Sequence, residues 1–274
     1  VLGTNFYDFR GRYCNMGGFN GKQIASYRNM QELIRKEHSI AYRVTKDEAL
    51  DLPEQTFIRQ YVTMEPKARK IYDQVRKESY AELEGGGEIT TPTVLTKLLR
   101  LQQMTGGFMV EDEGERPELF SRAKFDAVED IIRDYAVEGK KKLVIFARFI
   151  AEVQELERTA EKVLKPAHLK CVSIYGEVKS KDRGPLIAAF QNDPETAVII
   201  GQIDVLGVGV TLTAADTTVY YSVNFNYSSY EQSLSRIHRA GQMRPCTYIH
   251  LLTERTVDDK VLAALNRKAD LAHE

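Results

Sequence analysis

Short apolar runs alternate with amphipathic segments through the second half of the chain, from Ser121 onward. This alternation is typical of a parallel sheet whose strands are joined by crossover helices, so the predicted fold class is α/β. In such sheets, ligands bind beyond the carboxyl ends of the strands. The runs Val144-Ile145-Phe146 and Val198-Ile199-Ile200 are apolar throughout, as in strands covered on both faces. The predicted strands span 143–147, 170–175, 197–201, 218–222 and 247–252, and the predicted helices span about 149–164, 181–191 and 228–239, with a last helix from Thr256.

The first half of the chain is predicted to be mostly helical and connective. One helix begins at Pro66, because proline is favoured at the first helical position, and ends at Gly85-Gly86-Gly87. A second helix spans about 93–104 and leads into a linker with the acidic stretch 111–115. Residues 1–30 are rich in Gly, Asn, Tyr and Arg without a clear period, so we predict loop there and no fold of their own.

Composition narrows the range of partners and cofactors. With 274 residues and 43% hydrophobic residues, the chain can bury one large core or two modest ones, so we expect two structural units. Its 38 basic and 39 acidic residues give no global positive field, so a nucleic-acid contact requires a local patch. Cys14, Cys171 and Cys246 are scattered, and the five histidines are not at metal-ligand spacing. We therefore expect a reduced cytoplasmic protein with no bound metal and, since no apolar run reaches about 18 residues, no membrane span.

The segment 228–242, with the sequence SSYEQSLSRIHRAGQ, carries the most informative pattern. Ser228 and Glu231 form a predicted capping box, and Gly241 stands where a helix usually ends. At 100° per residue, one narrow face of this helix carries an amide and two guanidinium groups, those of Gln232, Arg236 and Arg239. The opposite face carries apolar residues that predict packing against a core: Tyr230, Leu234 and Ile237.

Two arginines on a well-packed helix suit a polyanion, because each planar guanidinium matches phosphate oxygens and keeps its charge. The alternative from geometry alone is a solvated surface helix, since most exposed arginines have no special role. The stretch QSLSRIHRAGQ, however, closely resembles the sixth helicase motif of Swi/Snf-type ATPases, which belong to the superfamily-two helicases. The resemblance implies that Arg236 and Arg239 act on the γ-phosphate of ATP bound by the other lobe. Gln232 becomes a polar partner in that site, and His238 a structural residue.

Residues 205–216, VLGVGVTLTAAD, resemble the fifth motif of the same family. Gly207 and Gly209 match its glycines, and small residues there let the backbone approach a phosphate or the neighbouring lobe. Leu206, Thr211 and Gln202-Ile203 depart from the usual glycine, asparagine and Ser-Thr, so the family's contacts at these positions are open. The alternative for the glycines is a tight strand-to-helix turn.

Other segments extend the resemblance. LVIFARF at 143–149 resembles the fourth motif, and Phe225-Asn226 stands where the family has Trp-Asn. Residues 173–190 resemble a segment that, in the family, follows the DNA backbone, which implies phosphate contacts with little sequence preference. A solvated patch is the alternative for any single one of its basic residues. The basic residues of this segment that we assign to DNA are Lys179, Lys181 and Arg183.

The resemblance covers most of 30–265 and implies two functional parts. Residues 1–120 correspond to the end of a first lobe and a helical connection, and 121–274 to a C-terminal RecA-like lobe. The absence of long insertions in the second lobe resembles compact bacterial or phage members.

The motifs that hold ATP itself are not found in this sequence. A motor of this family needs a P-loop for the phosphates and an acidic box for Mg²⁺. Gly21-Lys22 and Asp47-Glu48-Ala49 imitate parts of these motifs but lack the surrounding residues that the motifs require. We therefore expect ATP and Mg²⁺ to be bound mainly by a missing N-terminal RecA-like lobe. The abrupt start at Val1-Leu2-Gly3 is in line with an excised fragment.

Two function classes compete at this point. One is half of a DNA motor, in which ATP hydrolysis closes and opens two lobes around DNA. The other is a stand-alone nucleic-acid-binding or regulatory module without ATPase activity. A small-molecule enzyme of the Rossmann type is disfavoured, since no strand is followed by a complete glycine fingerprint. Whether the natural reading frame continues upstream into a P-loop would decide between the first two.

Overall fold

The computed structural model describes residues 5–17, 23–41, 44, 51–84, 91–110, 117–207 and 209–273. The chain divides into two compact units, Val1–Asp51 and Leu52–Glu274. Several sequence features lie outside the described residues: Gly21-Lys22, Asp47-Glu48-Ala49, Gly85-Gly86-Gly87 and the acidic stretch 111–115.

The first unit has secondary structure where we predicted loop. Helix α1 (Phe6–Tyr13) is followed by an antiparallel hairpin of β1 (Cys14–Gly17) and β2 (Gln23–Tyr27), and then by α2 (Met30–His38). The Asn5 side chain caps α1 by accepting a hydrogen bond from the Asp8 amide at 3.0 Å. The prediction was wrong because these elements are short and polar local bonds define them, so they produce no apolar period.

The second unit is built on a larger sheet flanked by helices. In chain order it contains β3 (Gln55–Val62), α3 (Pro66–Glu84), α4 (Thr91–Thr105), β4 (Phe108–Met109), β5 (Glu118–Leu119), α5 (Ala123–Ile132), β6 (Lys142–Ala147), α6 (Ile150–Leu164), β7 (Lys170–Ile174), α7 (Ser180–Asn192), β8 (Thr196–Gln202), a short α8 (Ile203–Leu206), β9 (Ala215–Tyr220), α9 (Tyr227–Leu234), β10 (Cys246–Thr253) and α10 (Val257–His273).

Six parallel strands form this sheet, in the order β3-β10-β9-β6-β8-β7. The predicted α/β class with a parallel sheet is thus confirmed, and four of the five predicted strands agree with the structure to within one residue at each end. Strand β9 begins three residues earlier than predicted, at Ala215. Strand β3 was not predicted at all. It lies at the edge of the sheet and pairs only with β10, so most of its side chains stay exposed and show no buried run.

Alternate side chains of the central strands enter two separate cores. Along β6, Leu143 and Ile145 face one core with α5 and α6, whereas Val144 and Phe146 face the other with α7 and α9. All four side chains are completely buried. Helices therefore cover both faces of the sheet, as the continuous apolar runs predicted.

Helices α3 and α4 pack against the start of α10 in a third, smaller core. The hydroxyl of Tyr72 accepts a hydrogen bond from the Val257 amide at 3.0 Å. Next to it, the buried ammonium of Lys124 lies 2.6 Å from Asp258, whose carboxylate also accepts a bond from Thr105. These contacts join α3, α4 and α5 to α10 within the compact unit. The division into functional parts at residue 120 stays a prediction.

A buried carboxyl group joins the end of β6 to the turn after α4. Oε2 of Glu152 accepts hydrogen bonds from the amides of Arg148 and Phe149, both at 3.0 Å, and from the Ser222 hydroxyl. Oε1 has no partner among the described residues, and a Cβ at Gly106 would lie 1.8 Å from it. Complete burial raises the pKa of Glu152 to about 7.

This raised pKa predicts a pH-dependent stability. A carboxyl that binds its proton more tightly when folded stabilises the fold below its unfolded pKa of about 4.5 and loses that contribution as the pH rises through 7. The free energy of unfolding of the wild type, relative to Glu152→Gln, should therefore fall by roughly 3 kcal/mol between pH 4 and pH 8. Urea unfolding of both proteins at several pH values measures this difference.

The control is Glu161→Gln, which changes an exposed carboxyl on the same helix and should give a difference that does not vary with pH. His250 titrates in the opposite sense, since burial lowers its pKa to about 4, but it is present in every variant and cancels. A wild-type minus Glu152→Gln difference that is flat from pH 4 to pH 8 would contradict the assignment.

Candidate functional site

The candidate residues lie in the connections that follow β7, β8 and β9. Because parallel strands all end at the same edge, these connections start close together. The basic residues follow β7, the glycines follow β8, and the arginine segment follows β9.

The arginine segment starts and ends differently from the predicted helix. Asn226 caps α9, and its side chain accepts a bond from the Ser229 amide at 3.3 Å, so the capping box predicted at Ser228 and Glu231 is wrong. The α-helix ends at Leu234, about five residues before the predicted end. Just beyond it, the carbonyl of Arg236 accepts a bond from Leu212 at 2.9 Å and is therefore engaged outside the helix.

The two guanidinium groups nevertheless meet, at a backbone carbonyl rather than on a helix face. Nη1 of Arg236 donates to the Val210 oxygen at 3.0 Å, and Nη1 of Arg239 donates to the same oxygen at 3.3 Å. Arg239 also donates to Oγ1 of Thr211 at 3.0 Å. Gln232 is not part of this group, because its amide contacts Ser228 at 3.4 Å.

The charge at this point is positive and is not compensated by a carboxylate. Both arginines are half-buried, and neither forms an ion pair with any residue that the structure describes. Partial burial, and then the nearby charge of Arg239, lower the pKa of Arg236. The apolar side of the segment is packed as predicted, with Tyr230 and Ile237 buried and Leu234 half-buried.

The two candidate glycines have different structural reasons. A Cβ on Gly207 would lie 2.2 Å from the Ile203 carbonyl, so a side chain there would disrupt the end of α8. Gly209 has φ +71°, and its missing Cβ would point into open space. The tight-turn alternative therefore accounts for Gly207, whereas Gly209 leaves its backbone accessible.

Gln242 is a residue that the sequence analysis missed. Its buried Nε2 donates to the carbonyls of Ala215 at 2.8 Å and Ile237 at 3.1 Å, and its Oε1 accepts from the amides of Met243 and Arg244. This amide holds the arginine segment against the start of β9. The signal in the sequence is the Gly-Gln pair at the end of the sixth-motif resemblance.

The basic loop after β7 presents two lysines to solvent. Lys179 is the N-cap residue of α7, Lys181 lies in its first turn, and both side chains are exposed. Arg183 is half-buried, and its Nε donates to the Val178 carbonyl at 3.0 Å, so this side chain braces the loop. Among the described residues, none of the three forms an ion pair.

A second amide, that of Gln202, bridges the ends of three neighbouring strands. Its Oε1 accepts a bond from the Gly176 amide at 2.9 Å, and its Nε2 donates to the Arg148 carbonyl at 2.9 Å. The sequence analysis saw Gln202 only as a departure from the family pattern. His238, expected to be structural, is buried and donates from Nε2 to the Pro53 carbonyl at 2.8 Å.

Two further searches concern the described residues only. They contain no group of three or more His, Cys, Asp or Glu side chains placed to hold a metal ion. No helix among them is both long enough and apolar enough to cross a membrane.

Comparison with known proteins identifies a domain and several relatives. The family model described as the helicase conserved C-terminal domain matches residues 123–241. An ATP-dependent helicase of Mycoplasma genitalium is 25% identical over 244 residues, which cover 89% of this chain and 23% of the relative. The snf22 subunit of the SWI/SNF chromatin-remodeling complex of Schizosaccharomyces pombe is 26% identical, with coverages of 84% and 14%. The mouse DNA annealing helicase and endonuclease ZRANB3 is 27% identical, with coverages of 96% and 24%.

Solved structures share the fold. The SWI2/SNF2 ATPase core of Sulfolobus solfataricus in complex with double-stranded DNA has a TM-score of 0.64 and 22% identity, and the match covers 97% of this chain and 55% of that one. The C-terminal part of the Fun30 ATPase domain has a TM-score of 0.60 and 18% identity, with coverages of 78% and 90%. The RecA-like form predicted for the sheet is thereby confirmed.

The chain spans about a quarter or less of the length of these curated relatives. The matched part is the same in each line of comparison, namely the C-terminal helicase domain. With the matched domain, the Swi/Snf relatives and the shared fold in agreement, the chain belongs to the Swi/Snf-type superfamily-two helicases, as a C-terminal lobe.

Proposed function

We propose that this chain is the C-terminal motor lobe of an ATP-dependent DNA helicase or translocase and that Arg236 and Arg239 act on the phosphates of ATP. The observation that carries the proposal is the meeting of two guanidinium groups at the neutral carbonyl of Val210, with no carboxylate paired to either in the described chain. Two fixed positive charges at one point suit a polyphosphate better than any neutral ligand.

The hydrogen bonds already made leave donors available. A guanidinium has five N–H groups. Arg236 uses Nε and Nη1, and Arg239 uses Nη1, for the bonds described above. The remaining N–H groups can bind phosphate oxygens while the contacts to Val210 hold the side chains in place. Such preorganised charge stabilises the transition state of phosphoryl transfer, and an arginine finger contributes about 10³ to 10⁵ in rate where it has been measured.

The neighbouring candidates take supporting roles in this proposal. The exposed backbone at Gly209 permits close approach of a phosphate or of the facing lobe, and Gly207 shapes the turn that leads to it. The exposed amide of Gln232 lies one helical turn before Arg236, where it can bind a polar group of the nucleotide.

ATP and Mg²⁺ require residues from elsewhere in the parent protein. The sequence contains no GxxxxGK[ST] pattern, and the described residues offer no cluster of carboxylates for a metal ion. The donor set here fits phosphate oxygens and does not fit Mg²⁺. We therefore infer that a preceding lobe holds both, and that the metal would neutralise charge on the phosphates there.

DNA is the proposed polymer partner. Lys179 and Lys181 point their charges to solvent beyond the carboxyl end of β7, and Arg183 fixes the loop between them. Support comes from the archaeal relative in complex with double-stranded DNA and from the mouse relative that is named as a DNA annealing helicase. Contacts of this type bind the backbone and give little sequence specificity.

The isolated chain should hydrolyse no ATP above background. The reason is that arginine fingers without a phosphate cradle have no bound nucleotide on which to act. A phosphate-release assay with and without duplex DNA measures this. DNA-stimulated turnover that persisted through further purification would contradict the proposal that another lobe is needed.

In the full-length parent, Arg236→Ala or Arg239→Ala should lower kcat at least roughly a hundredfold with a smaller effect on ATP affinity, because the lost charge acts mainly in the transition state. Each single variant leaves Val210 bonded to the other arginine, so the cost in stability should stay near 1 kcal/mol. Lysine at either position should rescue poorly, since an ammonium lacks the planar fork. Steady-state ATPase kinetics and urea unfolding provide the two measurements.

The matched control is Arg158→Ala, which removes an exposed arginine on α6 and should leave kcat unchanged. Near-normal DNA-dependent ATPase activity in both finger variants would overturn the assignment. The stand-alone binding module without ATPase activity would then become the better explanation.

Charge reversal of Lys179, Lys181 and Arg183 together should weaken DNA binding by the chain and flatten its dependence on salt. Each lost phosphate contact releases fewer counterions, and the slope of log K against log salt falls by about 0.9 per contact. Fluorescence anisotropy with a mixed-sequence duplex, at several salt concentrations, measures both quantities. An unchanged slope would place the DNA contact elsewhere.

A further inference from the structure

We propose that Gln202 is a positioning residue that sets the DNA affinity of the loop at 176–179. This inference rests on the DNA role proposed above for Lys179 and Lys181. Gln202 is the last residue of β8, which lies between β6 and β7 in the sheet. From there its amide reaches the chain beyond both neighbouring strands, at Arg148 and at Gly176.

The loop has little else to hold it to the sheet. Within the described chain, the other hydrogen bonds of residues 176–179 stay inside the loop or run to α7: Val178 to Tyr175 at 3.0 Å, Asp182 to Lys179 at 2.9 Å and Arg183 to Val178 at 3.0 Å. These bonds define the shape of the turn but leave its position free. The bond from Gly176 to Gln202 fixes the start of the turn against the end of β8.

The other end of the amide makes this anchor directional. Because Nε2 donates to the Arg148 carbonyl, the side-chain oxygen is left to face Gly176. A serine, which the Swi/Snf pattern has at this position, has a shorter side chain with a single hydroxyl and could not span both neighbours. The length and the two-ended polarity of glutamine are therefore what this arrangement uses.

Fixing the loop before DNA arrives lowers the cost of binding. A free turn must lose conformational freedom before two lysines can contact adjacent phosphates at once, and a preformed turn does not. A single hydrogen bond of this kind, once lost, should weaken affinity by about 3- to 10-fold. Folding itself should change little, since Gln202 is only half-buried and the strand ladder of β8 remains.

A double-mutant cycle on the 274-residue chain tests this role. The variants are Gln202→Ala, the pair Lys179→Ala with Lys181→Ala, and all three changes together, each titrated against a fluorescent mixed-sequence DNA duplex. Gln202→Ala should weaken binding about 3- to 10-fold and flatten the salt slope. In the background without the two lysines, it should add no further loss, because Gln202 acts through them.

Two more variants separate positioning from general stability. Gln202→Met keeps the length of the side chain, avoids a cavity and should lose the same affinity as the alanine variant. Ser173→Ala removes a bond of 2.6 Å to Glu157 in the adjacent strand β7 and should leave the affinity for DNA unchanged. Equal losses in Ser173→Ala and Gln202→Ala would point to a purely structural effect and overturn the inference.

The remaining outcomes distinguish this inference from the proposed function. If the lysine pair weakens binding and Gln202→Ala does not, or if their effects simply add, the positioning role is wrong and the DNA assignment stands. If the lysine pair binds DNA like the wild type, the DNA assignment fails, and the role of Gln202 fails with it.

Discussion

Six strands of the second unit run in the same direction, and this single constraint places the candidate site. Each connection must leave at the carboxyl edge and return across a face to the amino edge before the next strand begins. The connection into β9 and the connection into β10 return side by side, because these two strands are neighbours. This is why Val210, on the first path, meets Arg236 and Arg239 on the second, and why Gln242 can bond the first residue of β9.

The sequence was sufficient for the parts of the fold that bury continuous apolar runs. Strands such as β6 and β8 are covered on both faces, so their residues must be apolar at every position and are easy to locate. Strand β3 escaped because an edge strand has only one partner and keeps Phe57, Ile58 and Tyr61 largely exposed. The end of α9 escaped for another reason. Its last carbonyls bond to a distant loop, and no local pattern reports that competition.

The candidate site shows the same limit. Residue type and motif resemblance identified Arg236 and Arg239, but the common helix face that was to bring them together does not exist beyond Leu234. A shared carbonyl brings them together instead, 26 and 29 residues away in sequence. Gln202 and Gln242 were missed because their partners are backbone atoms of remote segments. A glutamine carries no sequence signal for such partners, and only the folded chain displays them.

The position of β3 also has a consequence for how this lobe is made. Gln55 hydrogen-bonds to Tyr248, 193 residues later in the chain. At a synthesis rate of about 5 to 20 residues per second, the edge strand therefore leaves the ribosome roughly 10 to 40 seconds before its only partner strand. During that interval Phe57, Ile58 and Tyr61 are presented on an unpaired strand, which is the kind of segment that aggregates or recruits chaperones. The lobe thus closes its sheet last at the strand that the ribosome made first.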